Sequence, residues 1–393
     1  MDARAAARNE ANAAFETAGM RGPCGRIDGR EEGFWSSDRL AADGSSGSSL
    51  RFDLHSCELH RYTASEARRC LAGKHLVLVG DSLMRYPYLS LVHLLHRGSY
   101  PDPGLPLWQF RRGEEFPNVC QEKDYQDMHG WLGRANLSEY SGWPAFMIHT
   151  SQYFDGHERC DCFRSTIEET VENRYFKDPS SGTAISYFTK TYLPIHGHWP
   201  VPRGSPPPGF LTPEAYAEIG RSKVTWNVSN ADFVNTVLPL VEELQGPVHT
   251  VLWNQGLWSE PTVEEMQGMA RSTRDFFRNR SAQFFWKTTT RAGAQTAEEL
   301  DGFLRLQRSY ARALDGMGWR ILDAARTTRD LTAIVEEGMN PALWKDLFNQ
   351  GPVATANRSM KLEVRAVHWD PYHYRPWVYA ELNNLWLNML CNE

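Results

Sequence analysis

The chain has 393 residues, 42 Lys and Arg against 48 Asp and Glu, and a net charge of −6. With 41% hydrophobic and 23% charged residues it has ordinary globular composition, which argues against a disordered chain. It carries no basic tail or stripe, so nucleic acid is not an expected partner, and no run reaches the ~18 apolar residues of a membrane-spanning helix.

The N-terminal stretch MDARAAARNEANAAFETAGM carries acids and lacks a continuous apolar core, so it does not read as a signal peptide. Residues 1–54 read as an irregular N-terminal extension and 41–50 as a small-residue loop. The first buried strand is HLVLVGDS (75–82). Helical spacing follows in YLSLVHLLHR (88–97). Pro87 would break a bond in the second turn of a helix starting at Ser82, so the regular helix is expected to begin near Tyr86, with 82–85 a tight bend. Residues 98–183 read as an insertion lobe over the strand ends. AISYFTKTYLP (184–194) alternates like a strand, and 200–209 is a Pro/Gly-rich loop. Three further apolar runs are strand-like: VHTVLWNQG (248–256), QFFWKTTT (283–290) and WRILDAA (319–325). Helices are expected over 231–245, 263–280, 297–318 and 376–390. This alternation argues for a mostly parallel sheet covered by helices on both faces; the form expected, together with the family resemblance given below, is a three-layer α/β/α sandwich of about five strands in the flavodoxin-like order 2-1-3-4-5.

In such folds ligands gather at the carboxyl ends of the strands, where four chemistry-bearing groups fall. Ser82 ends the first strand beside a helix start, either as a nucleophile or as a turn and cap residue. A seryl nucleophile needs a base held by a third group. In AVHWDPYHYRPWVYAELNN (366–384), Asp370 and His373 can lie side by side in one turn, Asp370 holding Nδ1 and leaving Nε2 for the serine proton. An Asx turn is the alternative there, and His368 is a competing base. Asn254 ends VLWN, either as an oxyanion donor or as a turn former before Gly256. Arg85 could donate at the same place or form an ion pair.

Gly80-Asp81-Ser82-Leu83, VLWNQGLW, FFWKTTT and the block DPYHYRPWVYAELNNLWLNMLC, together with SCELHRYTASEARRCLAGKHLVLVGDSLMR, resemble the SGNH/GDSL superfamily. They resemble its trichome-birefringence-like and PC-esterase branch in particular, marked by GDS and DxxH motifs. The similarity covers most of 55–393, which is expected to form the catalytic domain, while about 98–183 matches nothing recognisable. The resemblance implies Ser82 as nucleophile, His373 as base and Asp370 as its partner. It places Asn254, Arg85, Gly80, Asp81 and, as a candidate oxyanion glycine, Gly197 on the oxyanion and substrate side. It implies acyl transfer through an acyl-enzyme, above all O-acetylation of a carbohydrate or glycan hydroxyl. No bound cofactor or metal is implied; acetyl-CoA or another acetyl donor would be co-substrate. An esterase with the same triad, and a non-catalytic carbohydrate-binding or wall-organising protein, are the alternatives. The 14 Trp fit either aromatic-rich packing or a sugar groove. In relatives, cysteines before GDS are disulfide-bonded, which makes Cys24, Cys57 and Cys70 candidates among seven cysteines. Many relatives sit in the Golgi lumen. Four Asn-x-Ser sequons (Asn136, Asn227, Asn279, Asn357) agree with a secretory location, with the cytoplasm as the alternative.

Overall fold

The computed structural model describes residues 22–37, 50–101, 154–164, 170–190, 195–198, 225–257, 260–291, 294–334, 353–354, 361–362, 368 and 372–392. In chain order these form β1 (Gly33–Ser37), β2 (Leu50–Leu54), α1 (Ala64–Leu71), β3 (His75–Gly80), α2 (Ser82–Arg97), β4 (Glu158–Arg164), β5 (Thr170–Lys177), β6 (Ala184–Thr189), β7 (Ile195–His198) and β8 (Thr225–Val228). A helical turn at Asn230–Asp232 and a π-turn at Phe233–Val237 lead into α3 (Leu238–Gln245). Next come β9 (Thr250–Trp253), α4 (Val263–Phe276), β10 (Gln283–Lys287), β11 (Ala294–Gln295), α5 (Ala297–Asp315) and β12 (Arg320–Leu322); α6 (Pro376–Cys391) is the last helix.

A mixed seven-stranded sheet, ordered β12-β10-β9-β3-β6-β5-β4, forms the middle layer. Five of its strands are mutually parallel, and β5 and β4 are added antiparallel at one edge. Taken in chain order, the parallel strands run 2-1-3-4-5. Every residue of β3 is buried, because both faces of the sheet are covered. Leu76, Leu78, Tyr187, Leu252 and Phe285 face the core shared with α1, α2 and α6. Val77, Val79, Phe188, Trp253 and Trp286 face the opposite core, shared with the π-turn, α3, α4 and α5.

The strand number corrects the expectation of about five. Its physical source is charge: the buried residues of β5 include Glu172 and Arg174, and β4 begins with Glu158. Arg174 Nη1 lies 2.7 Å from Glu158 Oε1 and Arg174 Nε 2.5 Å from Glu172 Oε1. Because these buried charges satisfy one another, the strands carry no apolar pattern to read. Part of the expected insertion lobe is therefore sheet. The described part of the N-terminal extension is not irregular either. β1 and β2 pair antiparallel, Trp35 and Phe52 enter the α2–α6 core, and Trp35 Nε1 donates to the Thr327 carbonyl at 2.7 Å. The loops expected at 41–50 and 200–209 lie outside the described residues but for Leu50, which begins β2.

Two disulfides staple the domain. Cys24–Cys57 ties the N-terminal segment to the chain before α1, and Cys70–Cys391 joins the end of α1 to the end of α6. All three upstream cysteines are bonded, with Cys391 as a partner that spacing alone does not indicate.

α2 begins at Ser82 and not near Tyr86. Asp81 is its N-cap, with its carboxylate accepting the Leu83 N–H at 2.8 Å, and Pro87 sits inside the helix. A proline there costs about 3 kcal/mol. Fourteen residues of α2, Ser82 through Leu95, are buried, and that packing outweighs the cost. The Pro87 carbonyl also accepts the Asn383 side-chain amide of α6 at 2.9 Å, locking the two helices together.

Candidate active site

The Ser82 turn is held from below. β6 runs beside β3 with Gly80 opposite Thr189. The Lys190 N–H donates to the Gly80 carbonyl at 2.7 Å. The Tyr187 hydroxyl sits between the Gly80 and Asp81 carbonyls, at 3.1 and 3.0 Å. Gly80 is required by close approach: a Cβ there would stand 2.8 Å from Met84 Cβ and 3.0 Å from the Asn254 carbonyl oxygen. The backbone is thus fixed before any ligand arrives, as a preorganised site needs.

His373 lies just before α6, and its Nε2 is 2.6 Å from Ser82 Oγ, across 291 residues of sequence. Ser82 is 8% exposed. The His373 ring meets the Tyr86 ring edge-on, with centroids 5.1 Å apart, and Tyr86 stacks on Tyr379 at 5.4 Å. Two aromatic residues, one from α2 and one from α6, therefore set the imidazole plane. The competing base, His368, is fully buried, its ring tilted 39° against that of Tyr374 with centroids 4.1 Å apart. Asp370 lies outside the described residues.

Two expected oxyanion donors have other work. Arg85 directs Nε (2.6 Å) and Nη2 (2.5 Å) at Glu172 Oε2, so it joins the buried ion-pair cluster that anchors α2 to β5. Burial opposes ionisation of Glu172, but Arg85 and Arg174 outweigh it and hold this carboxyl below its ordinary value. Asn254 does reach the site, beside Gly80, but its amide nitrogen donates to the Lys287 carbonyl (2.9 Å) and to Thr289 Oγ1 (3.1 Å). Both amide hydrogens are spent on tying the ends of β9 and β10 together. Asn254→Ala should therefore destabilise the fold by about 1–3 kcal/mol, read from chemical denaturation. A variant of unchanged stability with a rate lowered about 10²–10³-fold would instead make Asn254 an oxyanion donor. Gly197 lies in the β7–β8 ribbon, opposite Trp226 and outside the main sheet.

Asp81, expected on the substrate side, is the N-cap of α2. Burial pushes its carboxyl above the ordinary value, opposed by the Leu83 N–H and by the charge of Lys287. Two lysines were not singled out from the sequence. Lys287 ends β10 and Lys190 follows β6; both are 1% exposed, and neither ammonium has a hydrogen-bond partner among the described residues. Burial lowers Lys287 to about 8, against the pull of Asp81, and Lys190 to about 7. The rule that chemistry collects at strand ends, which pointed to Ser82 and Asn254, points to these lysines equally well.

All six tryptophans with described side chains, Trp35, Trp253, Trp286, Trp319, Trp377 and Trp386, are buried, so these serve packing and not a sugar groove. Among the described residues no group of three or more His, Cys, Asp or Glu is arranged to hold a metal, and no helix is long and apolar enough to cross a membrane. No protein-family model matches the chain.

Proposed function

We propose that this protein is a serine-dependent acyltransferase of the SGNH/GDSL type, in its PC-esterase-like branch, and that it acetylates a carbohydrate hydroxyl. The observation that carries the reading is the 2.6 Å contact between Ser82 Oγ and His373 Nε2 at the carboxyl end of a parallel sheet ordered 2-1-3-4-5. Ser82 Oγ attacks the carbonyl of the acetyl donor, and its proton passes to His373 Nε2. His373 returns that proton to the departing group, the coenzyme A thiolate when acetyl-CoA is the donor, or another leaving group. The acceptor hydroxyl then gives its proton to His373 and attacks the acetyl-serine, and the proton finally returns to Ser82. Asp370 would orient the imidazole. The N-terminus of α2, where the Ser82 N–H has no intrahelical acceptor, supplies a positive dipole end for the oxyanion.

The two disulfides and the exposed sequon asparagine Asn279 at the end of α4 suit the oxidising lumen of the secretory pathway. Incubation with acetyl-CoA or an acetyl ester, with and without oligosaccharides, tests the reaction. Acetylated oligosaccharide is the expected product. Brisk release of acetate with no sugar product would replace the transferase reading with an esterase.

A further inference from the structure

We propose that Lys287 is a positioning residue whose buried ammonium keeps Asp81 ionised, and thereby holds the turn that presents Ser82. The inference rests on the reading of Ser82 as nucleophile. Lys287 and Asn254 lie side by side across β10 and β9, each one position beyond the Trp286–Trp253 pair, and Gly80 follows next across β3. Phe285, Leu252 and Leu78, two residues earlier on each strand, face the α2–α6 core, so strand alternation puts Lys287 on that same side. Gly80 has no side chain there, so the start of α2 closes onto this strand end: a Cβ at Gly80 would stand 2.8 Å from Met84 Cβ and 3.3 Å from Asn254 Cβ, and Lys287 is the next residue across from Asn254. The ammonium makes no hydrogen bond or ion pair among the described residues, and Asp81 is the charge it feels.

Asp81 is 1% exposed, and its cap to the Leu83 N–H works best as a carboxylate. It is faced by Lys287 from β10, by His373 from the segment before α6, by Tyr187 from β6 and by Arg85 within α2. Arg85 is already held by Glu172, and His373 must cycle between charge states during acyl transfer. Lys287 is the cation left to balance Asp81 throughout. A buried ammonium without a partner is costly, and a counter-charge role explains why it is kept.

The test is a double-mutant cycle on the rate at which a fluorophosphonate labels Ser82, followed against pH. Lys287→Met is expected to label about tenfold more slowly at neutral pH. Without the cation the Asp81 carboxyl takes up its proton at higher pH, so the acid limb of the profile should move upward. Asn caps helices about as well as Asp and carries no charge. Adding Asp81→Asn to Lys287→Met should therefore return the rate to within about threefold of the wild type. If Lys287→Met labels like the wild type, or if the double variant is as slow as Lys287→Met, the proposal is wrong. Should wild-type Ser82 not label at all, the acyl-transfer reading fails separately. The coupling is then read from melting temperatures of the same four proteins, where Asp81→Asn must be less damaging beside Lys287→Met than alone. Additive effects on melting would overturn it.

Discussion

Ser82→Ala is expected to abolish turnover, with kcat falling by a factor on the order of 10⁴–10⁶, while the fold stays intact. The cap of α2 is the Asp81 carboxylate, so removing the Ser82 hydroxyl leaves the helix start unchanged. Stability should stay within about 1.5 kcal/mol of the wild type, the worth of the one hydrogen bond to His373 that is lost. His373→Ala should cost a similar factor, because the hydroxyl 2.6 Å away then has no base. The double variant should be no slower than either single one, since residues that act as one unit do not add. Steady-state rates with an acetyl donor, read beside denaturation curves, check all three proteins. A folded Ser82→Ala protein with wild-type rates would end the nucleophile assignment.

Removing the Cys70–Cys391 bridge should cost about 2–5 kcal/mol of stability and leave the chemistry alone. The bridge closes a span of 321 residues and pins the end of α6 to the end of α1. Other contacts cooperate with it. Asn388 Oδ1 accepts the His60 N–H at 3.0 Å, Asn388 Nδ2 donates to the His60 carbonyl at 2.8 Å, and Asn384 Oδ1 accepts the Tyr62 N–H at 3.1 Å. His373 precedes the opposite end of α6, about 24 Å from Cys391 along a helix of 16 residues. In Cys70→Ser/Cys391→Ser, melting should therefore drop by several degrees while kcat well below the transition holds. Equal melting with and without the bridge would contradict this, and a parallel fall in kcat would show that the far end of α6 positions His373.

The parts of the fold that could be read from the sequence are those whose signal is apolar and local. HLVLVG and VLW are continuous buried runs and FFW a largely buried one, and the parallel core follows from how they alternate with helices, while the order 2-1-3-4-5 is that of flavodoxin-like folds and is not selected by alternation alone. What escaped reading has a physical reason in each case. β4 and β5 bury Glu158, Glu172 and Arg174 as mutual partners, and such residues look like solvent-facing ones until the partners meet. The start of α2 was displaced because Pro87 carries a local penalty that only tertiary packing can overcome. The ion pair was one of the two readings of Arg85, but its partner, Glu172, lies 87 residues away in sequence and leaves no local signal. The Ser82–His373 pairing was legible because both residues sit in short polar motifs next to helix starts, where side chains project from the sheet edge. Asn254 was legible as a strand-end residue but not in its partners, since its acceptors, Lys287 and Thr289, come from the neighbouring strand and the loop after it.

The central claim is that His373 activates Ser82 in the folded protein. Reaction with a serine-directed fluorophosphonate, followed by peptide mapping, measures this directly. The account requires a single adduct on Ser82 that forms in the native wild type, is lost on denaturation and is lost in folded His373→Ala. An unmodified Ser82 in native protein, or equal labelling with His373 replaced, would contradict it.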